Sequence, residues 1–283
     1  MVQSMSDGCK FSVLMSLYDK ESPDYLNECL ESISHQILMP NEIVIIFDGP
    51  VNSNLMTVVD KWIKIIPIVI YKINKNVGLG NALNFGVNKC KNEIIARMDT
   101  DDICVPNRFN IQIPLMNAHP ELSVLGSAII EFSSDDRVFR GLKQMPLTHD
   151  NIVRHSKYRN PMNHMTVVFK KSAILNVGGY CHHPYMEDYN LWLRLISSGY
   201  KFLNISEPLV KARTGRSMIG RRKGLKYIFS EYKMFRLKRE LALGTVLELF
   251  PSFVIRVLIR FLPAFLVAIV YKRIREADVV NKA

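Results

Sequence analysis

The stretch that decides the fold is Glu93-Ile-Ile-Ala-Arg-Met-Asp-Thr-Asp-Asp102, where a short apolar run leads straight into an acidic turn. The run Ile94–Ala96 predicts a buried strand, and the turn after it carries Asp99, Asp101 and Asp102. Carboxylates this close repel one another, and a divalent cation would neutralise them because hard cations take oxygen ligands. Mg²⁺ is often held by one or two carboxylates and completes its shell with substrate phosphates. The stretch therefore predicts a metal site for a diphosphate; the alternative is a solvated turn, since Asp is common in turns.

The chain before this stretch alternates strands with helices. Strands are predicted over Phe11–Tyr18, Glu42–Phe47, Ile68–Ile73 and Ile94–Met98, and helices over Asp24–Gln36, Leu55–Ile65 and Asn81–Cys90. This alternation predicts a parallel, doubly wound α/β sheet. Polar groups follow the four strands, at Tyr18–Asp19, Asp48, Asn74–Asn76 and Asp99–Asp102. Because ligands bind beyond the carboxyl ends of such strands, we expect these groups to line one edge of the sheet.

The pattern after Asp102 is looser. It predicts a helix over Arg108–Met116, strands over Leu122–Phe132 and Met165–Phe169, a turn at Ser133–Arg137, a short helix over Lys171–Asn176, a helix over Tyr189–Ser198, and short strands at Phe202–Ile205 and Leu209–Ala212. Glu187 and Asp188 open the Tyr189–Ser198 helix, where the helix dipole favours acidic residues.

Composition limits the possible classes of protein. The 283 residues are 48% hydrophobic and 22% charged, which excludes wholesale disorder. The five cysteines are widely spaced with no Cys-x-x-Cys pair, so neither a zinc site nor a disulfide framework is indicated. The first residues lack the charged start and apolar core of a signal peptide. These features predict a cytoplasmic protein.

The net charge of +11 is concentrated in the last quarter of the chain. Residues 1–210 carry 20 Lys and Arg against 21 Asp and Glu, whereas residues 211–283 carry 17 against 5. This asymmetry predicts an anionic partner for the tail, either a membrane surface or a nucleic acid. We favour the membrane, because no recognised nucleic-acid-binding motif accompanies the basic residues.

The tail itself predicts amphipathic helices. Apolar residues at helical spacing stand among its Lys and Arg, at Leu225, Ile228, Phe229, Tyr232 and Phe235. The longest uncharged run, Phe261–Tyr271, is far shorter than the about 20 residues that a membrane-spanning helix needs. We therefore predict helices that lie on the inner face of the cell membrane as a peripheral attachment to anionic lipid. The alternative is a helical lid packed on the core.

Six stretches in order resemble the family 2 glycosyltransferases of the GT-A fold, above all the branch that builds bacterial capsules, exopolysaccharides and O-antigens. They are Ser12-Val-Leu-Met-Ser-Leu-Tyr18, Glu42-Ile-Val-Ile-Ile-Phe-Asp48-Gly49-Pro50, Asn76-Val-Gly-Leu-Gly-Asn-Ala-Leu-Asn84, Met98-Asp-Thr-Asp-Asp102, Asn160-Pro-Met-Asn-His164 and Glu187-Asp-Tyr-Asn-Leu-Trp-Leu-Arg194.

The resemblance implies a Rossmann-like, mostly parallel sheet flanked by helices. It implies a catalytic domain over residues 1–215, with a nucleotide-sugar half (1–102) and an acceptor half (103–215), followed by a basic helical tail (216–283). The Gln-x-x-Arg-Trp motif of processive members is absent from the sequence, so transfer of a single sugar is implied.

The resemblance also implies roles for residues of the nucleotide-sugar site. Asp48 would accept a hydrogen bond from the base, usually uracil, although an Asp beside a Gly turn is also a common turn residue. The other implied donor-binding residues are Tyr18, Asp19, Lys75, Asn76 and Asp99, with Arg213 and Arg216 on a Gly-containing loop that could close over the diphosphate. Asp99 and Asp101 would hold Mg²⁺ or Mn²⁺.

On the acceptor side, Asp188 resembles the catalytic base that takes the proton of the attacking hydroxyl. Glu187 would shape the acceptor pocket, and His164 would contact the acceptor. Alternatively, Glu187 and Asp188 only cap a helix and His164 only packs.

The implied function is inverting transfer of one sugar from a UDP-linked donor to a lipid-linked (polyprenyl diphosphate) or glycan acceptor. Two other functions fit the residues alone. One is a metal-dependent nucleotidyltransferase, which would release pyrophosphate. The other is a non-catalytic, membrane-bound protein that binds nucleotide-sugars.

Overall fold

The computed structural model describes residues 10–133, 138–214 and 225–261. Residues 134–137 of the predicted turn, Arg216 and the tail beyond residue 261 lie outside these ranges.

The first half of the chain forms the predicted parallel sheet. Its strands are β1 (Phe11–Leu17), β2 (Glu42–Asp48), β3 (Ile68–Ile73) and β4 (Ile94–Arg97), in the order β3-β2-β1-β4. The helices between them are α1 (Pro23–Ser34), α2 (Ser53–Trp62) and α3 (Leu79–Lys89). Every residue of β2 is buried, as its continuous Ile/Val run predicts for a strand covered on both faces. The carboxyl ends of these four strands therefore share one edge.

The second half extends the same sheet with mixed pairing. Its elements are β5 (Ile103–Cys104), α4 (Arg108–Ala118), β6 (Leu122–Ser133), β7 (Phe139–Lys143), α5 (His149–Ser156), a 3-10 turn (His164–Thr166), β8 (Val168–Lys170), α6 (Lys171–Asn176), α7 (Glu187–Ser197) and β9 (Lys201–Thr214). The order continues β4-β8-β6-β9-β5, with β7 beside β6. Strand β8 is antiparallel to both β4 and β6, while β6 and β9 are parallel. The predicted α/β class is confirmed, and the parallel part of the sheet lies in the first half.

Two predictions for this half were wrong. Phe202–Ile205 and Leu209–Ala212 belong to one long strand, β9, because the ladder with β6 shifts register around Pro208 and accommodates the missing N–H there. The predicted strand Met165–Phe169 begins instead with the 3-10 turn, so β8 starts only at Val168.

The sheet separates two apolar cores. Alternate β1 residues point to opposite faces: Val13 and Met15 pack with α1 and α2, whereas Leu14 packs with α3 and α7. Trp192 of α7 is fully buried in the second core. A Cβ on Gly80, in the first turn of α3, would lie 3.0 Å from the Glu187 Cβ. This close approach fixes the start of α7, with its two acidic residues, against the α3 end of the sheet edge.

The chain then forms a C-terminal helix pair, α8 (Leu225–Glu240) and α9 (Val246–Phe261). The two helices pack on each other, with the Phe235 and Phe253 ring centroids 5.1 Å apart, and α8 packs on α7. The predicted tail helices are thus present in the part of the chain that the structure describes. None of the helices described there combines the length and the apolar character needed to cross a membrane.

Candidate active site

The loops after β2 and β3 are tied together by Asp48. This side chain is only 3% exposed, and its two carboxylate oxygens accept the backbone N–H groups of Val77 (2.7 Å) and Gly78 (3.0 Å). Gly49 lies alongside at φ +91°, where a Cβ would come within 2.7 Å of the Asn76 nitrogen. The Asp48 carboxylate therefore orders the loop that leads into α3, and its predicted contact with the base stays a prediction.

Four other predicted donor-binding residues lie along the same edge. Tyr18 is half-buried, whereas Asp19, Lys75 and Asn76 are exposed. The amide of Asn76 donates to the Asp48 carbonyl oxygen (3.1 Å), which braces the loop from its other side. The expectation that these strand ends meet at one edge is confirmed by the parallel register of β1, β2 and β3.

The three carboxylates after β4 converge. Asp99, Asp101 and Asp102 each offer an oxygen, and these oxygens lie within 4.8 Å of one another. Burial and the neighbouring charge of Asp99 raise the pKa of Asp101 to about 6, and burial and Asp101 raise the pKa of Asp102. A set of hard oxygen ligands that is costly to ionise without a counter-ion fits a divalent cation.

Arg213 closes the acidic turn from β9. Its backbone N–H donates to the Asp102 carboxylate (2.8 Å) and its Nε donates to the Asp101 carbonyl oxygen (2.6 Å). Its guanidinium also pairs with Glu28 and lies 4.0 Å from the ring centre of Tyr25. The expectation that Arg213 lies on a Gly-containing loop was wrong: it lies one residue before the end of strand β9, with its side chain only 4% exposed because Glu28 and Tyr25 hold it. Its contact with the nucleotide-sugar stays a prediction, and the same prediction for Arg216 lies outside the described residues.

Asp188 stands in the first turn of α7, with both oxygens engaged. One oxygen accepts the backbone N–H of Tyr189 (2.7 Å) and the other accepts the side-chain amide of Asn160 (2.6 Å). Burial raises the pKa of Asp188, and these two bonds oppose the rise. Burial and the charge of Asp188 raise the pKa of Glu187 to about 7. Asp188 is therefore a carboxylate that is held in place and has a raised pKa, which suits it to accept a proton near neutral pH.

Arg97, the last residue of β4, interacts with both groups of carboxylates, those of the Asp99–Asp102 turn and those of Glu187 and Asp188. Its side chain is 2% exposed and pairs with Asp99, while its Nε and Nη1 have no hydrogen-bond partner among the described residues. Its charge lowers the pKa values of Asp101, Glu187 and Asp188 against the effect of burial. The carboxylates after β4 and those of α7 therefore lie within electrostatic reach of the same buried cation.

His164 is half-buried, and its ring packs against aromatic side chains. Its Nε2 lies 2.9 Å from the Tyr180 hydroxyl oxygen, and its ring meets Trp192 edge-on. Burial and the nearby charge of Arg97 lower the pKa of His164 well below its usual value, so the imidazole is neutral at physiological pH. Its contact with an acceptor stays a prediction.

Sequence reasoning missed two residues of this site. Arg97 had a signal, since a charged residue in a buried strand needs a partner. Asn160 begins the Asn160–His164 motif, but the sequence does not predict its role, because its contact with Asp188 spans 28 residues of chain.

Comparison with known proteins gives concordant results. A sequence profile described as Glycosyl transferase family 2 matches residues 12–177. The chain is 44% identical over 266 residues to the amylovoran biosynthesis glycosyltransferase AmsE of Erwinia amylovora, covering 94% of this chain and 99% of that protein. It is 37% identical over 271 residues to the UDP-Gal:alpha-D-GlcNAc-diphosphoundecaprenol beta-1,3-galactosyltransferase of Escherichia coli, covering 95% and 98%.

The fold is also similar to a solved structure. The mannosyltransferase PcManGT from Pyrobaculum calidifontis, in complex with GDP-Man and Mn²⁺, superposes with a TM-score of 0.62 at 13% identity, over 94% of this chain and 80% of that one.

Proposed function

Because the chain belongs to glycosyl transferase family 2, we propose that it moves one sugar, with inversion, from a UDP-linked donor to a lipid-linked acceptor in surface-polysaccharide synthesis. The family and the GT-A fold predicted from the motifs are confirmed, and the protein is a glycosyltransferase enzyme. The names of the two relatives support the finer points, since one belongs to amylovoran synthesis and the other uses UDP-Gal and a diphosphoundecaprenol acceptor.

The observation that carries the proposal is the pair of acidic groups around Arg97. The Asp99–Asp102 turn offers oxygen ligands for a divalent cation, Mg²⁺ or Mn²⁺, with Asp99 and Asp101 as the proposed ligands. Such a cation supplies positive charge to the diphosphate that leaves with the nucleoside. We propose Asp188 of α7 as the group that acts on the incoming alcohol; its hydrogen bond from Asn160 and its raised pKa support this role.

The proposed reaction is a single displacement. The acceptor oxygen forms a bond to the anomeric carbon as the bond from that carbon to the diphosphate oxygen breaks. The hydroxyl proton passes to the Asp188 carboxylate, and the nucleoside diphosphate leaves on the opposite face of the sugar. Glu187, beside Asp188 and close to α3, lines the acceptor side.

We assign the base and ribose to the edge formed by Tyr18, Asp19, Asp48, Lys75 and Asn76. Residues 1–102 are then the donor half and residues 103–215 the acceptor half of the catalytic domain. The family match favours glycosyl transfer over nucleotidyl transfer and over a non-catalytic role.

We further propose that the C-terminal helix pair and the basic tail meet the anionic inner face of the cell membrane. Large apolar side chains point to solvent from both helices; examples are Leu225 (80% exposed), Leu247 (87%), Phe250 (51%) and Leu258 (59%). Apolar side chains beside a strongly basic sequence are suited to the lipid interface, where a lipid-linked acceptor would be found.

A nucleotide-sugar screen tests the proposed function. Purified protein is incubated with Mn²⁺ or Mg²⁺ and a panel of UDP-, GDP- and dTDP-sugars, and released products are separated by chromatography. We expect UDP from a UDP-sugar, no pyrophosphate, and loss of release on adding EDTA. Pyrophosphate as the product, or release that EDTA leaves unchanged, would contradict the proposal.

Vesicle flotation tests the membrane proposal. We expect the full chain to float with phosphatidylglycerol vesicles and not with phosphatidylcholine vesicles, because its tail is basic. Leu247→Glu should weaken binding about tenfold, the effect of withholding one large apolar side chain from lipid. The matched control is Ile37→Glu, at a residue 68% exposed in the loop after α1, which should float like wild type. Equal flotation of the two variants would contradict this assignment.

A further inference from the structure

We propose that Arg256 and Lys238 of the C-terminal helix pair are positioning residues for Asp188, acting through the segment Ser156–Asn160. The inference builds on the proposed role of Asp188. Two basic side chains from the tail helices hold the short piece of chain that carries Asn160 to the Asp188 carboxylate.

The carbonyl groups at the end of α5 accept hydrogen bonds from side chains of other elements. The last carbonyls of a helix have no partner within the helix. Here three consecutive ones each accept a side chain from elsewhere: Ser156 from the Tyr189 hydroxyl (2.5 Å), Lys157 from Lys238 Nζ (2.8 Å) and Tyr158 from Arg256 Nη1 (3.0 Å). Cations are favoured at this end of a helix by its dipole.

Specific partners hold both basic side chains. Arg256 donates from Nε (2.7 Å) and Nη2 (3.0 Å) to the carboxylate of Glu231, which is 3% exposed. Lys238 is 5% exposed and lies 4.9 Å from the ring centre of Tyr189. Burial lowers the pKa of Lys238 to about 7, which reflects the cost of placing an ammonium there. Because Glu231 and Tyr189 hold these two side chains, their hydrogen bonds to the Lys157 and Tyr158 carbonyls hold the segment in place.

The segment reaches the proposed base two residues later. Asn160 donates to one Asp188 oxygen (2.6 Å), while its own side-chain oxygen accepts the Met162 N–H (3.2 Å). Pro161 follows Asn160 and restricts its backbone to extended conformations. Tyr189, next to Asp188 on α7, binds the other end of the segment at Ser156. Movement of the segment would therefore alter the hydrogen bond that stabilises the ionised form of Asp188.

The other groups that face Asp188 are Arg97 from β4, Tyr180 from the loop before α7, and Glu187 and Tyr189 beside it on α7. None of them belongs to the tail helices, but Tyr189 contacts Lys238 through its ring and Ser156 through its hydroxyl. A variant that combines Arg256→Met with Asn160→Ala therefore separates an effect that passes through Asn160 from one that passes through Tyr189.

The test measures the Asp188 pKa directly, by ¹³C NMR titration of its carboxylate in the full chain, with the signal assigned from Asp188→Asn. Asn160→Ala should raise this pKa by about one unit, because it removes a hydrogen bond to the charged form. Arg256→Met should also raise the Asp188 pKa, but by less than Asn160→Ala does. The double variant should match Asn160→Ala alone, since residues that act through one contact are not additive.

Two further variants serve as an alternative to Arg256→Met and as a control. Lys238→Met, which leaves the Arg256–Glu231 pair intact, should act in the same direction as Arg256→Met and serves where that variant does not fold. Arg236→Met is the matched control on the same helix as Lys238, since the Arg236 side chain is 61% exposed and pairs with Glu240 one turn along that helix. It should leave the Asp188 pKa unchanged.

Turnover provides the second readout. With the UDP-sugar selected in the screen, folded Arg256→Met should lower kcat about tenfold with the donor KM unchanged, and the acid limb of the kcat profile should move to higher pH. An unchanged Asp188 pKa in folded Arg256→Met and Lys238→Met, or an Arg256 effect that adds fully to that of Asn160→Ala, would overturn the inference. A wild-type chain that transfers no sugar would instead contradict the proposed function, because the NMR titration needs no substrate.

Discussion

The Asp188→Asn variant is expected to bind the UDP-sugar with its divalent cation as tightly as wild type while transferring sugar about a thousandfold more slowly. A positioned general base contributes about 10²–10⁴-fold to such reactions. Asparagine keeps the shape of the side chain but cannot take the proton of the attacking hydroxyl. Asp188 is the residue to test because Asn160 and the Tyr189 N–H hold both of its oxygens in the first turn of α7.

The measurement separates binding from chemistry. Calorimetry with UDP and Mn²⁺ gives the donor affinity, and UDP release in the presence of acceptor gives the rate. The matched control is Asp150→Asn, which makes the same change at an exposed acidic residue in the first turn of α5 and should behave as wild type. Full turnover by Asp188→Asn would remove Asp188 as the base, and loss of donor binding would assign it to the donor site.

The first half of the fold could be predicted from sequence because its signal is local. Each strand is rich in apolar residues, most of all β2, and each is separated from the next by a helix of amphipathic spacing. Parallel pairing then places the strand ends together, so the positions of Asp48 and of the acidic turn followed without knowledge of the rest of the chain.

The elements that sequence analysis missed lack that signal. Strand β7 has no buried residue, so no apolar alternation marks it. Helix α5 buries only Ile152 and Ser156 along its eight residues. The sequence predicts two strands in place of β9 because a proline within a strand usually ends it. Only the pairing with β6 shows that the ladder continues past Pro208 after a shift of register.

The contacts that complete the site were beyond prediction for a different reason. Arg213 pairs with Glu28 across 185 residues, and Asn160 reaches Asp188 across 28. Such contacts depend on how β9 and α7 are placed against the first half of the sheet. The residue types of the site were visible in the sequence, but the residues that hold them were not.

The Asp101→Ala variant is expected to lose metal-dependent donor binding, with the affinity for UDP in Mn²⁺ at least about a hundredfold weaker and no longer sensitive to EDTA. Changes to groups that only support metal ligands already cost about 10–100-fold in metal affinity. Asp101 is one of three carboxylates whose oxygens lie within 4.8 Å of one another, and removing it takes away an oxygen ligand and a negative charge. Unlike Asp188→Asn, this change should reduce binding and turnover together.

The fold of Asp101→Ala can be checked in the same experiment. Since the charge of Asp101 raises the pKa of Asp102, its removal relieves repulsion between buried carboxylates, and the metal-free variant should unfold at the wild-type temperature or above it. Thermal unfolding with and without Mn²⁺ measures this, and Mn²⁺ should stabilise wild type but not the variant. The matched control is Asp60→Ala, at an exposed carboxylate on α2, which should retain both metal-dependent binding and the Mn²⁺ shift. Donor binding by Asp101→Ala that still requires Mn²⁺ at wild-type concentrations would place the cation on other residues.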